Sequence, residues 1–175
     1  MYDKKEGINL PPFLLLKKGE DKMTLNMDEK IQVKNLCDWT VSFKRIDSVG
    51  DILVPAHTTV RISRGEVFSQ VQSNNVLFIG TDNVGSHARL YIVDKDTRVE
   101  LGFESEDGKT TQKVISDEKV KEIFSIKAKT AFEKAVKENI VTRAEKAVIA
   151  HSVKKFKLNE YDKIKFIEDY TEMKV

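Results

Sequence analysis

Near residue 116 the hydrophobic period of this chain changes, and no other feature constrains its fold as tightly. From Ile31 to Ile115, apolar residues recur at every second position in short runs broken by Gly, Asn and Asp. From Asp117 to Tyr170 they recur at every third or fourth position, with Lys and Glu between them. Alternation turns one face of an extended segment toward a core, whereas a repeat of about 3.6 does so for a helix. The expected fold class is therefore α+β. An N-terminal antiparallel β-barrel or sandwich with one inserted short helix is followed by a C-terminal module of about three helices. This divides the chain into an extended arm over 1–29, a β module over 30–115 and a helical module over 116–175.

Within the β module, Ile31 and Val33 alternate with Gln32 and Lys34, and Trp39, Val41 and Phe43 alternate with Thr40, Ser42 and Lys44. Ser48 to Asp51 turn the chain into Ile52-Leu53-Val54, which Pro55 ends. Thr58 to Ile62 form another β-branched run. Ser63 and Glu66 stand at capping-box spacing and open the one expected helix, with Val67, Phe68 and Val71 on its apolar face. Val76 to Ile79, Arg89 to Val93, Arg98 to Phe103 and Thr111 to Ile115 complete the strands, with Asp94 to Thr97 read as a turn. Parallel pairing would need more helical crossovers than this, so the sheet is expected to be antiparallel.

In the helical module Ser116 is an N-cap, and Asp117 and Glu118 place negative charge at the helix's positive end. One stripe runs from Val120 through Val136 and ends at Asn139. Thr142 with Glu145 makes a second capping box, for a helix to about Phe156. Asn159 is expected to cap a third helix with Tyr161, Ile164, Ile167 and Tyr170 inward.

The composition, 40% hydrophobic and 33% charged, is that of a folded chain with a charge-rich surface. A lone cysteine, Cys37, allows no internal disulfide and suits a reducing compartment or a particle assembled inside a cell. Nothing approaches the roughly 18 apolar residues of a membrane span. The run Leu10-Pro11-Pro12-Phe13-Leu14-Leu15-Leu16 is too short and proline-rich for a signal segment, and Lys17-Lys18 follow it. It reads as an extended arm whose anchors Phe13, Leu14, Leu15 and Leu16 cover an edge of their own domain or clip a neighbouring subunit.

Asp94, Asp96 and Glu100 lack the glycine and the spacing of a calcium loop. His57, His87, His151 and Cys37 have no zinc-ligand spacing, so neither metal nor cofactor is expected. Cys37 with His87 as base is outweighed by a small buried thiol. The loop Gly80 to His87 offers Asp82, Asn83, Ser86 and His87 as polar contact residues for a partner subunit. It is expected to join two strands, so it does not form a phosphate cradle. The last sixty residues carry fourteen basic and eleven acidic side chains, a net +3. Lys154, Lys155 and Lys157 around Phe156 are the densest basic cluster and make nucleic acid a second, less favoured partner.

The run Ile31-Gln32-Val33-Lys34-Asn35-Leu36, the Val54-Pro55-Ala56 strand end, and Asn75 to Gly80 leading into Gly85-Ser86-His87-Ala88-Arg89 resemble small β-barrel virion proteins of tailed bacteriophages. The lysine-rich segment Leu158 to Tyr170 shares the likeness, which spans residues 30–170 in general style. The resemblance implies a non-enzymatic auxiliary capsid or head-tail connector component, found in the virion after assembly in the host cytoplasm. Its partners would be other virion proteins or copies of itself. The alternative is a nucleic-acid-binding regulatory protein of the cytoplasm that uses the basic helices.

Overall fold

A computed structural model describes residues 24–175 of the chain, so the arm residues Phe13 to Leu16 lie outside the described region. The elements in chain order are β1 (Lys30–Asn35), β2 (Val41–Lys44), β3 (Asp51–Val54), β4 (Thr59–Ser63), α1 (Arg64–Gln72), α2 (Val76–Ile79), β5 (Leu90–Ile92), α3 (Lys95–Glu100), α4 (Asp117–Ser125), α5 (Lys129–Asn139), α6 (Arg143–Lys155) and α7 (Tyr161–Thr171). The fold is α+β, with small antiparallel sheets and several helices.

β1 is the middle strand of a three-stranded sheet, pairing antiparallel with β4 on one side and β5 on the other. β2 and β3 form a separate antiparallel hairpin. Of the expected barrel or sandwich, no closed barrel is shown among the described residues: the strands make these two sheets, and three segments expected as strands take other conformations. Val76–Ile79 is a single helical turn: the Asn75 side chain accepts the Leu77 N–H and Gly80 stops the turn at φ +66°. Arg98 to Phe103 are replaced by α3 and its exit, because the Asp94 carboxylate accepts the Thr97 N–H and caps a helix where a hairpin turn was expected. Thr111 to Ile115 join no strand, although the Lys113 carbonyl accepts the His87 N–H at 2.6 Å. The β region thus holds three helices in place of one.

Ser116 caps α4 and the Thr142–Glu145 capping box opens α6, both as expected. The long first helix is instead two helices, α4 and α5, so four helices follow residue 116 among the described residues. Ile126-Lys127-Ala128 contain no helix breaker. The break is held from outside, where the buried Lys163 ammonium donates to the Phe124 carbonyl at 2.8 Å and satisfies one acceptor that the end of α4 leaves open. α7 starts from Glu160 with no side-chain cap, so Asn159 does not act as the cap, and Tyr161 points outward, 73% exposed.

The apolar interior falls into two clusters. One gathers Ile31, Val33, Val41, Phe43, Ile52, Val54, Ile62, Val67, Phe78, Leu90, Ile92 and Phe103. The other gathers Ile115, Val120, Ile123, Phe132, Val136, Ile140, Val148, Ile149, Val153 and Ile167.

Candidate interaction surfaces and a histidine seam

All three histidines of the chain lie where the β-rich half meets α6. Asp38, in the connection after β1, accepts from two of them, one on each carboxylate oxygen. His57 Nε2 donates to Oδ1, and His151 Nδ1 on α6 donates to Oδ2 at 3.0 Å. A carboxylate only accepts, which fixes the protonated ring nitrogen in each case. His57 reaches Asp38 from a left-handed backbone, φ +56°, uncommon for a residue with a Cβ. The third, His87, donates through Nδ1 to Glu145 Oε1 at 2.7 Å. The other Glu145 oxygen accepts the N–H groups of Val141 and Thr142 at 2.9 and 2.8 Å. One buried carboxylate therefore both caps α6 and ties it to the loop before β5.

Cys37, His87 and Glu145 line one small cavity between the halves, together with Leu36, Ala88, Arg89, Ile115, Thr142, Ala144 and Val148. The order Cys, His, Glu suggests a nucleophile, base and orienting acid. Two observations oppose such chemistry there. The cavity has a volume of about 10 Å³, room for no more than one water molecule. Burial also pushes the Cys37 thiol up to about 11, where the thiolate needed for attack is scarce. The group is a packed joint between two halves.

The Gly80–His87 loop is braced from within and divides into two parts. Burial opposes ionisation of Asp82, but hydrogen bonds from the Ser86 hydroxyl and the Val84 and Ser86 N–H groups outweigh it and hold the carboxyl below its ordinary value. A Cβ on Gly80 would lie 1.8 Å from the Ser86 carbonyl oxygen, so only glycine fits. Ser86 is buried and His87 is held in the seam, whereas Thr81, Asp82, Asn83 and Val84 face outward.

Lys154, Lys155 and Lys157 are exposed at the end of α6. Lys155 binds Asp117 at 2.8 Å, and the ammonium groups of Lys121 and Lys155 lie 5.0 and 5.3 Å from the centre of the Phe156 ring. This cluster is therefore partly engaged within the fold.

The β2–β3 hairpin presents a different surface. Its inner face, Val41, Phe43, Ile52 and Val54, is buried, and Phe43 meets Phe78 edge-on with ring centres 5.2 Å apart. On the outer side Leu53 stands opposite Ser42 and is 64% exposed; in the connecting loop Ile46 is 47% and Val49 100% exposed. The loop is nonetheless fixed. Glu66 of α1 accepts the N–H groups of Ile46 and Asp47 at 2.9 and 3.0 Å, and the Ser69 hydroxyl donates to Asp47 at 2.7 Å.

Asp38 and Glu145 were not singled out from the chain as partners of the histidines. Glu145 was legible only as half of a capping box, and Asp38 only as a turn residue. Among the described residues, no cluster of His, Cys, Asp and Glu is arranged to hold a metal ion, and no helix is long and apolar enough to cross a membrane. No known protein family, curated protein or solved structure matches the chain.

Proposed function

We propose that the chain is a non-catalytic structural subunit, an auxiliary capsid or head-tail connector component of a bacteriophage virion, and that it docks to neighbouring proteins through the β2–β3 hairpin. The observation that carries the docking is the exposed, pinned apolar loop and face formed by Ile46, Val49 and Leu53. Isolated surface hydrophobics are ordinary, but three on one braced hairpin suit a site where a partner removes apolar area from water. Because α1 already holds the loop, little ordering is left to oppose binding. The assignment to a virion is supported by the resemblance of residues 30–170 to small phage structural proteins.

The test is sedimentation of lysates from the source through a density gradient. The protein is expected to travel with a large particle, and the variant V49D/L53D to lose at least about tenfold of its occupancy with an unchanged thermal melt. Wild-type protein that stays wholly at the top of the gradient, or full occupancy of the double variant, would overturn the proposal.

A second reading is favoured by one observation, the placement of the Lys121 and Lys155 ammonium groups over the Phe156 ring, with the exposed Lys154 and Lys157 next to it in the chain. These basic side chains would hold phosphates of a nucleic acid. Filter binding across a salt series separates the two, since several phosphate contacts give a steep logarithmic slope.

A further inference from the structure

We infer that the solvent face of the three-stranded sheet binds the phosphodiester backbone of single-stranded nucleic acid, at a site separate from the docking hairpin and from the lysines beside Phe156. On β1 the alternation that buries Ile31 and Val33 turns Lys30 and Gln32 outward, and the register sets Arg61 of β4 directly opposite Gln32. On the other flank of β1 the Val93 N–H donates to the Gln32 carbonyl at 2.9 Å. That bond brings the chain leaving β5 alongside, with Lys95 at the start of α3. Lys30, Gln32, Arg61 and Lys95 line one groove of about 330 Å³, together with Glu29 and Asp94.

The charges select what this groove takes. Its two carboxylates are engaged by the fold. Both pair with the buried Arg64 guanidinium, Glu29 at 2.8 Å and Asp94 at 3.5 Å, and Asp94 also accepts the Thr97 N–H. Lys30, Arg61 and Lys95 are exposed, and among the described residues none of the three stands in an ion pair. With Arg64 counted, the groove and its margin hold four cations against two carboxylates, a local excess of positive charge. The cluster at the end of α6 is less free, since Lys155 is bound to Asp117.

The layout favours a chain of phosphates over a single one. Arg61 and Lys95 belong to segments on opposite flanks of β1, about two strand spacings or 9–10 Å apart. Cations along both walls with the Gln32 amide on the floor form a trough in which a polyanion lies lengthwise. Further along the same face Tyr91 stands opposite Lys34, half-buried, with the Arg98 guanidinium 5.0 Å from its ring centre. An aromatic beside such a trough is a platform for an unstacked base, which a single strand offers and a duplex does not.

The test is fluorescence anisotropy of the full-length chain with a labelled oligodeoxythymidine of about 12 nucleotides, titrated from about 50 mM salt upward. Lys30→Gln/Arg61→Gln should weaken binding at least about tenfold. It should also lower the slope of log affinity against log salt by about 1.4, two contacts at about 0.7 each for a single strand. Both side chains are exposed, so its melting temperature should not change. Tyr91→Leu should weaken binding at least about fivefold and leave the slope as it is, because stacking releases no counterions. Lys154→Gln/Lys157→Gln should alter affinity by less than about twofold. Absence of binding at the lowest salt, unchanged affinity in Lys30→Gln/Arg61→Gln, or a loss confined to the Lys154/Lys157 pair would overturn the site. Polyglutamate of equal length competing as well as unlabelled oligodeoxythymidine would also overturn it, since the groove would then read an acidic protein chain. Equal affinity for a duplex of the same length would refute the single-strand preference. Each of these results leaves the docking role of the hairpin untouched.

Discussion

Substitution of Glu145 by alanine tests whether the seam joins the two halves or merely decorates their contact. The Glu145 carboxylate is 7% exposed and accepts from three donors: Val141 N–H, Thr142 N–H and His87 Nδ1. A hydrogen bond to a charged acceptor is worth about 1.5–3 kcal/mol net. The three do not add, because one group makes them all and the donors differ in what replaces it. Val141 is 54% exposed, so water recovers part of its bond; the His87 side chain is 11% exposed and recovers little. Loss of the capping contribution alone costs about 1 kcal/mol. Adding the stranded His87 brings the expected destabilisation to about 3 kcal/mol, a fall in melting temperature of about 6–12 °C for a chain of this length.

The assay follows two probes through the melt. Trp39 is the only tryptophan and packs against the β-side core, whereas far-ultraviolet dichroism reports chiefly on the helices. With a coupled seam, both transitions move down together in Glu145→Ala. A double-mutant cycle with His87→Ala should also show a coupling of at least about 1 kcal/mol. If the helical signal shifts while Trp39 does not, or the total loss stays below about 1 kcal/mol, Glu145 acts as a cap alone and the seam is not a joint.

Cys37, pushed up to about 11 by burial, should react with an aromatic disulfide reagent at pH 8 at least about a hundredfold more slowly in native protein than in denaturant; comparable rates would show the thiol to be accessible. In Glu66, burial opposes ionisation, but hydrogen bonds from Gln70 and the Asp47 and Ile46 N–H groups outweigh it and hold the carboxyl below its ordinary value of 4.5. A carboxyl depressed in the folded state contributes stability above that ordinary value and loses it as pH falls through the folded one. Wild-type stability should therefore decline below pH about 4.5, and Glu66→Gln should flatten part of that slope while lowering stability at neutral pH; an identical acid profile in the variant would remove Glu66 from the account.

Segments with their own period or cap were legible from the chain. The β1 alternation, the Ser116 cap and the Thr142–Glu145 box each state their structure within a few residues, and all three are present. Val76-Leu77-Phe78-Ile79 has no period because all four residues are apolar, and its extended appearance lost to the Asn75 cap and Gly80 stop on either side. α3 is six residues long, under two turns, so Val99, Leu101 and Phe103 mimicked a strand; the available sign was Asp94 three residues before Thr97. The break between α4 and α5 had no local sign at all, since it is stabilised by Lys163, thirty-nine positions from its acceptor. The seam was invisible for the same reason: Asp38 meets His151 across 113 positions and Glu145 meets His87 across 58.

What those long separations conceal is which residues sit against their chemical type. Arg98 and Glu145 are charged yet buried. Arg98 donates to the Ile92 and Val93 carbonyls and pairs with Glu104, while Glu145 closes the seam, so each burial is explained by partners inside the molecule. The converse holds for Val49 and Leu53, which are apolar yet exposed. By type alone Leu53 would belong with Ile52 and Val54 in the core; only its register opposite Ser42 turns it outward. The buried charges have partners within the described fold, whereas Leu53 and Val49 stay largely exposed, so the docking role proposed above belongs to the hairpin rather than to the seam.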